Sequence, residues 1–111
     1  MIKGTGLSKD VLAMLIGTFK KYAGIDQVTL YGSRAKGTFN ERSDIDLVAY
    51  GKDLDRFVVS QVLLDLDDSD IPFMVDFQDF SELKNRRIIE HIERVGQIIY
   101  NSEQGLDKSA E

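Results

Sequence analysis

The sequence has no cysteine, one histidine (His91) and one proline (Pro72). Without thiols there is no disulfide and no thiolate metal site, and a lone imidazole makes a histidine-built zinc site implausible. Any metal must therefore be held by oxygen, which points to Mg²⁺ or Mn²⁺. No apolar run approaches the roughly 18–20 residues of a bilayer span. The opening Met1-Ile2-Lys3-Gly4-Thr5-Gly6 lacks an apolar h-region, so neither export nor a membrane anchor is expected and the expected location is the cytoplasm. Positive charge is also in short supply: 14 Lys and Arg against 19 Asp and Glu give a net charge of −5. An acidic surface repels phosphate backbones, which argues against broad nucleic-acid binding but not against one nucleotide whose charge a metal neutralises. A mononucleotide or a basic protein partner fits this balance better.

What is present is one domain's worth of chain, 111 residues, expected to fold over residues 1–100 with a polar tail over 101–111. Ser8 can cap a helix running to about Ala23, with Lys20 and Lys21 in its last turn. Gln27 to Tyr31 alternates with period two and reads as a first strand ending at Gly32, and a short helical turn from Ser33 to Lys36 is broken by Gly37. A polar loop leads to a second strand over Asp44 to Tyr50. Asp53 can cap a second helix, Leu54 to Asp67, with Leu54, Phe57, Val58, Val62, Leu63 and Leu66 on its apolar face. Beyond Pro72, Phe73, Val75 and Phe77 alternate with Met74, Asp76 and Gln78 as a third strand. Ser81 can cap a third helix that stops at Gly96, and Gln97 to Tyr100 adds a short strand. The fold class is α/β (α+β), a small mixed sheet of three to four strands covered on one face by helices.

The chemistry concentrates between Gly32 and Leu47. Strand residues two apart face the same way, so Asp44 and Asp46 share one face while Ile45, Leu47 and Ala49 take the other. Asp76 and Gln78 lie on the polar side of the third strand. If the two strands are neighbours, three carboxylates converge, and their mutual repulsion calls for cations such as two divalent ions. The Asp-x-Asp pair alone says little, because Asp53/Asp55, Asp65/Asp67 and Asp68/Asp70 repeat it on helix ends and a turn. Only Asp44/Asp46 sits on a strand shortly after a Gly-Ser turn. There Gly32 allows close backbone approach to phosphate and Ser33 supplies a hydroxyl, while Arg34, Lys36 and Arg42 can meet phosphate or pair with nearby acids. His91, between Glu90 and Ile92, reads as a surface or boundary residue.

Leu30-Tyr31-Gly32-Ser33-Arg34-Ala35-Lys36-Gly37 followed by Arg42-Ser43-Asp44-Ile45-Asp46-Leu47 resembles the minimal nucleotidyltransferases of the DNA polymerase β-like superfamily, whose signature is Gly-Ser, ten residues, then Asp-x-Asp. Val75-Asp76-Phe77-Gln78-Asp79-Phe80 is similar to the family segment that brings the third acid, with Asp76 in register and Asp79 on the other face. The resemblance implies the polymerase β-like fold and transfer of AMP from ATP to an acceptor hydroxyl. Asp44, Asp46 and Asp76 would be the catalytic and metal-binding acids, holding two Mg²⁺, and Gly32, Ser33, Arg34 and Ser43 the nucleotide-binding residues. It also implies a helical HEPN-domain toxin as partner, modified on a tyrosine, with this chain as antitoxin; a homo-oligomer is left open by the sequence. Two other readings stand beside it: a binding module that neutralises a partner by contact alone, and an antibiotic-modifying enzyme, for which the chain is short of an acceptor pocket.

Overall fold

In the computed structural model, which describes residues 4–102, the chain runs α1 (Lys9–Phe19), β1 (Gln27–Tyr31), α2 (Gly32–Lys36), β2 (Ile45–Tyr50), α3 (Arg56–Asp67), β3 (Val75–Asp79), a 3₁₀ turn (Phe80–Glu82), α4 (Arg86–Val95) and β4 (Gln97–Asn101). The strands form one mixed sheet in the order β3-β2-β1-β4. β1 pairs antiparallel with both β2 and β4, and β2 pairs parallel with β3. A parallel neighbour requires a crossover, and α3 supplies it. The second and third strands are thus adjacent, the condition on which convergence of the acids depends.

The starts of α1, α3 and α4 follow side-chain caps. Ser8 accepts from the Val11 N–H and opens α1, as expected. The helix stops at Phe19 rather than near Ala23, because the bonds tighten to three-residue turns, Lys21 N–H to the Thr18 carbonyl and Tyr22 N–H to that of Phe19. Lys20 and Lys21 therefore lie beyond the last turn, and Lys21 pairs instead with Asp65 of α3 at 2.8 Å. Two other caps differ from expectation. Asp55, not Asp53, accepts from the Val58 N–H and starts α3 at Arg56. Asn85, not Ser81, caps α4 through the Arg87 and Ile88 N–H groups, while Asp79 holds Ser81 in the preceding 3₁₀ turn.

The helices, expected on one face of the sheet, lie on both. Val11, Leu15 and Phe19 of α1 and Val62 and Leu66 of α3 pack on Val28, Leu30, Ile45, Leu47, Ala49 and Phe77. On the opposite face Ile92 and Ile88 of α4 cover Tyr31 and Val48. This second layer explains why β1 is buried on both sides, Thr29 and Tyr31 included, where simple alternation predicts one wet face. Each fully buried aliphatic or aromatic side chain contributes about 1.5–3 kcal/mol, so the larger α1/α3 layer dominates the core. Two residues assigned to the apolar face of α3 do not join it: Phe57 is 69% exposed and Leu63 36%. Asn101, placed in the tail by its polarity, is the last residue of β4, and the Ser102 N–H bonds to the Asp26 carbonyl. The remainder of the expected tail, 103–111, lies outside the described residues.

Candidate active site

Sheet register builds the site. Tyr31 of β1 is directly across from Asp46 of β2, and Asp46 is directly across from Asp76 of β3. Residues facing each other across a ladder point to the same side, so these three make a row across one face of the sheet. Gly32 is the next residue after Tyr31, and the chain turns there into α2 with φ +76°, a conformation that suits glycine. The turn passes so close to β2 that a Cβ on Gly32 would stand 2.1 Å from Asp46 Oδ2. The glycine is required twice, by backbone angle and by the carboxylate beside it.

The electrostatics show one cluster. Asp46 is half-buried, and burial first, then the charges of Asp76 and Asp44, raise its pKa above the usual carboxylate value. Asp44 itself is exposed just before β2, and Asp76 is exposed on β3. Burial also pushes the Tyr31 hydroxyl well above its ordinary pKa, with Asp76 and Asp46 adding to it. That hydroxyl meets Asp76 Oδ2 at 3.5 Å, and Gln78 Nε2 donates to the same carboxylate oxygen at 2.9 Å. The side chains are not drawn into a finished cage: among the described residues no three acids or histidines stand ready to hold an ion. The donor set nevertheless fits a hard divalent cation. It is all oxygen, it lacks a neutralising base in the ion pairs of the described residues, and its half-buried member pays a repulsion that a cation would remove.

The remaining candidates separate. Ser33, partly exposed, follows Gly32 in the turn. Arg34, expected on phosphate, is turned inward and only 1% exposed. Its Nε donates to the Ser43 carbonyl at 3.1 Å and its Nη1 to the Thr5 carbonyl at 2.8 Å, and the guanidinium lies against the Phe39 and Phe73 rings. Its side chain is thus committed to positioning the turn, a correction to the sequence reading. Burial lowers its pKa. The Ser43 hydroxyl accepts from the Asn40 N–H and braces the loop before Asp44. Lys36 and Arg42 are exposed and make no ion pair among the described residues. Asp79 faces away from the cluster and caps Ser81.

The residue missed by the sequence reading is His91. Its Nε2 accepts the Gly32 N–H at 2.9 Å and its ring meets Tyr31 edge-on. The signal was its spacing, because residues 88, 91 and 92 fall on one helix face and Ile88 and Ile92 pack on the sheet. Gln97 of β4 adds a bond to the Ala35 carbonyl, so α4 and β4 both fasten the turn.

Fold and site together define a small mixed-sheet α+β protein that sets a glycine turn beside acids from two adjacent strands. The sequence profile of the family described as polymerase beta, nucleotidyltransferase matches residues 14–105, and the chain belongs to that family. No curated protein matches it significantly. Among solved structures it is similar to a chain of a toxin–antitoxin complex with AMP-PNP (20% identity, TM-score 0.67, covering 85% of this chain and 76% of that one). It is similar also to a chain of an MntA toxin–antitoxin complex carrying two Asp-to-Glu changes (18%, 0.65, 89% and 77%). A third is from the tri-AMPylated HEPN toxin of Shewanella oneidensis with its MNT antitoxin (16%, 0.61, 86% and 74%). At these identities the likeness is one of fold. No described helix is long and apolar enough to cross a membrane.

Proposed function

We propose that this chain is a protein adenylyltransferase that moves AMP from ATP to a hydroxyl of a HEPN-type toxin and so acts as its antitoxin. The observation that carries the reading is the row Tyr31, Asp46, Asp76 with the Asp46 carboxylate against the open face of Gly32. Asp44, Asp46 and Asp76 would hold two Mg²⁺, whose contribution is to neutralise phosphate charge and polarise the phosphoryl group. Gly32 and Ser33 would receive the β- and γ-phosphates, and Asp76, exposed at the sheet edge, would take the acceptor's proton. The acceptor oxygen bonds to the α-phosphorus as the bond to pyrophosphate breaks. Holding the reactants in line beside fixed charge does most of the work in such a transfer. The neighbouring structures, with AMP-PNP in one and an AMPylated HEPN toxin in another, support ATP and a HEPN protein as substrates here.

The test is incubation with α-labelled ATP, Mg²⁺ and a HEPN-type toxin. Label on the toxin, lost in Asp46→Asn and Asp76→Asn, is the expected result. An unlabelled toxin that the same variants still silence would replace this reading with neutralisation by contact.

A further inference from the structure

On the sheet face opposite the carboxylates, α3 and the loop that leads to β3 form a groove of about 840 Å³ walled by Leu63, Leu64, Ile71, Phe73 and Met74. Its apolar walls remain in water: Leu64 is 62% exposed and Met74 75%. The fold does not need them there, since α3 anchors itself through Val62 and Leu66. β3 is at the end of the sheet, so no further strand covers this side among the described residues. Leu63, Leu64 and Met74 thus form an apolar face that the described fold leaves unpartnered.

Charge selects the occupant. Between Arg56 and Lys84 the chain carries seven acids and no base. Asp67 lies in the groove wall, and Asp68 and Asp70 follow it into the loop. Three occupants are open to such a groove: the chain's own residues 103–111, a second copy, or a foreign protein. Residues 103–111 hold Glu103, Asp107 and Glu111 against Lys108, and a second copy brings a net charge of −5. Either would press negative charge on an acidic rim, and like-charge juxtaposition opposes association. We propose that the groove is the docking site for a helix of a partner protein that carries an apolar stripe flanked by Lys and Arg. The inference rests on the reading that the chain acts on a protein, and it adds where that protein is held. Val75 lines the groove and Asp76, the next residue of β3, points to the other side of the sheet, so a helix seated here lies along the edge strand that carries the acid. Docking would bring the partner to the edge at which its hydroxyl is needed.

The probe is a synthetic 18-residue helix with a leucine stripe and lysine flanks, together with the same peptide carrying glutamate for lysine. Both are titrated into the full chain at 150 mM salt and followed by methyl NMR. The lysine peptide should shift the methyls of Leu63, Leu64 and Met74, and Leu64→Glu should weaken its binding about tenfold or more. Leu64→Glu adds a negative charge, so attraction by charge alone would hold or tighten binding and would overturn the proposal. Shifts located elsewhere, or equal binding of the glutamate peptide, would overturn it too. So would a dimer in sedimentation that Leu64→Glu dissociates, which would give the groove to a second copy. Calorimetry with Mg²⁺ and AMP-PNP, run in parallel, separates the two claims. A peptide seated in the groove of a chain that binds no nucleotide would uphold docking and remove the enzymatic reading.

Discussion

His91 Nε2 and the Gly32 backbone N–H, 59 residues apart in sequence, meet at 2.9 Å. The ring nitrogen can accept only when unprotonated, so the ring proton sits on Nδ1 and α4 helps fix the orientation of the Gly32 peptide. His91→Leu removes the acceptor and leaves a partly buried donor unpaired, at a cost of about 1–2 kcal/mol. His91→Gln can restore an acceptor. The Gly32 amide should lose hydrogen-exchange protection in the leucine variant and regain it in the glutamine variant. Affinity for Mg²⁺ and AMP-PNP should fall about tenfold in the leucine variant and recover in the other. Equal affinities across the three proteins would confine His91 to packing.

Asp46 sets a pH dependence whose sign follows from its raised pKa. The folded state binds this proton more tightly than the unfolded chain, whose carboxyl titrates near 3.8. Stability from this group is therefore full below 3.8 and is lost as pH rises through the raised value. At neutral pH without metal, Asp46→Asn should accordingly melt higher than the wild type, by roughly 2–5 °C, and the advantage should vanish in acid. Mg²⁺ should reverse the order, because an ion bound only by the folded wild type raises its melting temperature by mass action. Calorimetric scans at pH 7 and pH 4, with and without 10 mM Mg²⁺, decide the matter. A melting temperature of the wild type that ignores Mg²⁺ would count against the acids as a metal site.

Much of this arrangement was legible in the sequence because strand periodicity fixes faces. Alternation put Asp46 and Asp76 on one side and Ile45, Leu47 and Phe77 on the other, and the register agrees. Alternation does not reveal a second layer, and so the face that α4 covers and the contact of His91 with Gly32 escaped. Arg34 escaped for a related reason: a cation after a glycine turn reads as a phosphate ligand until Phe39, Phe73 and two distant carbonyls are seen around it. Caps are local, yet Asp53 and Asp55, two acids within three residues, offer more than one. Asp53 is followed by Leu54 and Asp55 by Arg56 and Phe57, and backbone geometry selects Asp55. Asp55→Ala should cost about 1 kcal/mol, lowering the melting temperature by roughly 4–8 °C. Asp53→Ala, an exposed surface change, should stay within about 0.5 kcal/mol of the wild type. Thermal melts of the two variants in the same buffer measure the difference.

Arg34 joins three segments: the turn after β1, the carbonyl of Ser43 immediately before Asp44, and the carbonyl of Thr5 ahead of α1. The guanidinium has no acid partner, and its Nη2 has no hydrogen bond among the described residues. Its lowered pKa reflects burial alone. Arg34→Met keeps the length and the contact with Phe39 and Phe73 but strands both carbonyls, so two hydrogen bonds to a charged group are lost. Such bonds are worth about 1.5–3 kcal/mol each, and relief of a buried, unpaired charge offsets part of that. The expected outcome is a net loss of about 2 kcal/mol in denaturant unfolding. A phosphate ligand would behave otherwise: its removal would leave stability intact and abolish nucleotide binding outright. Arg34→Met should instead unfold more easily yet, while folded, still bind Mg²⁺ and AMP-PNP within about tenfold of the wild type, because Gly32, Ser33 and the acids remain. Calorimetric titration well below the melting temperature separates the two, and complete loss of binding by a folded variant would return Arg34 to the phosphates.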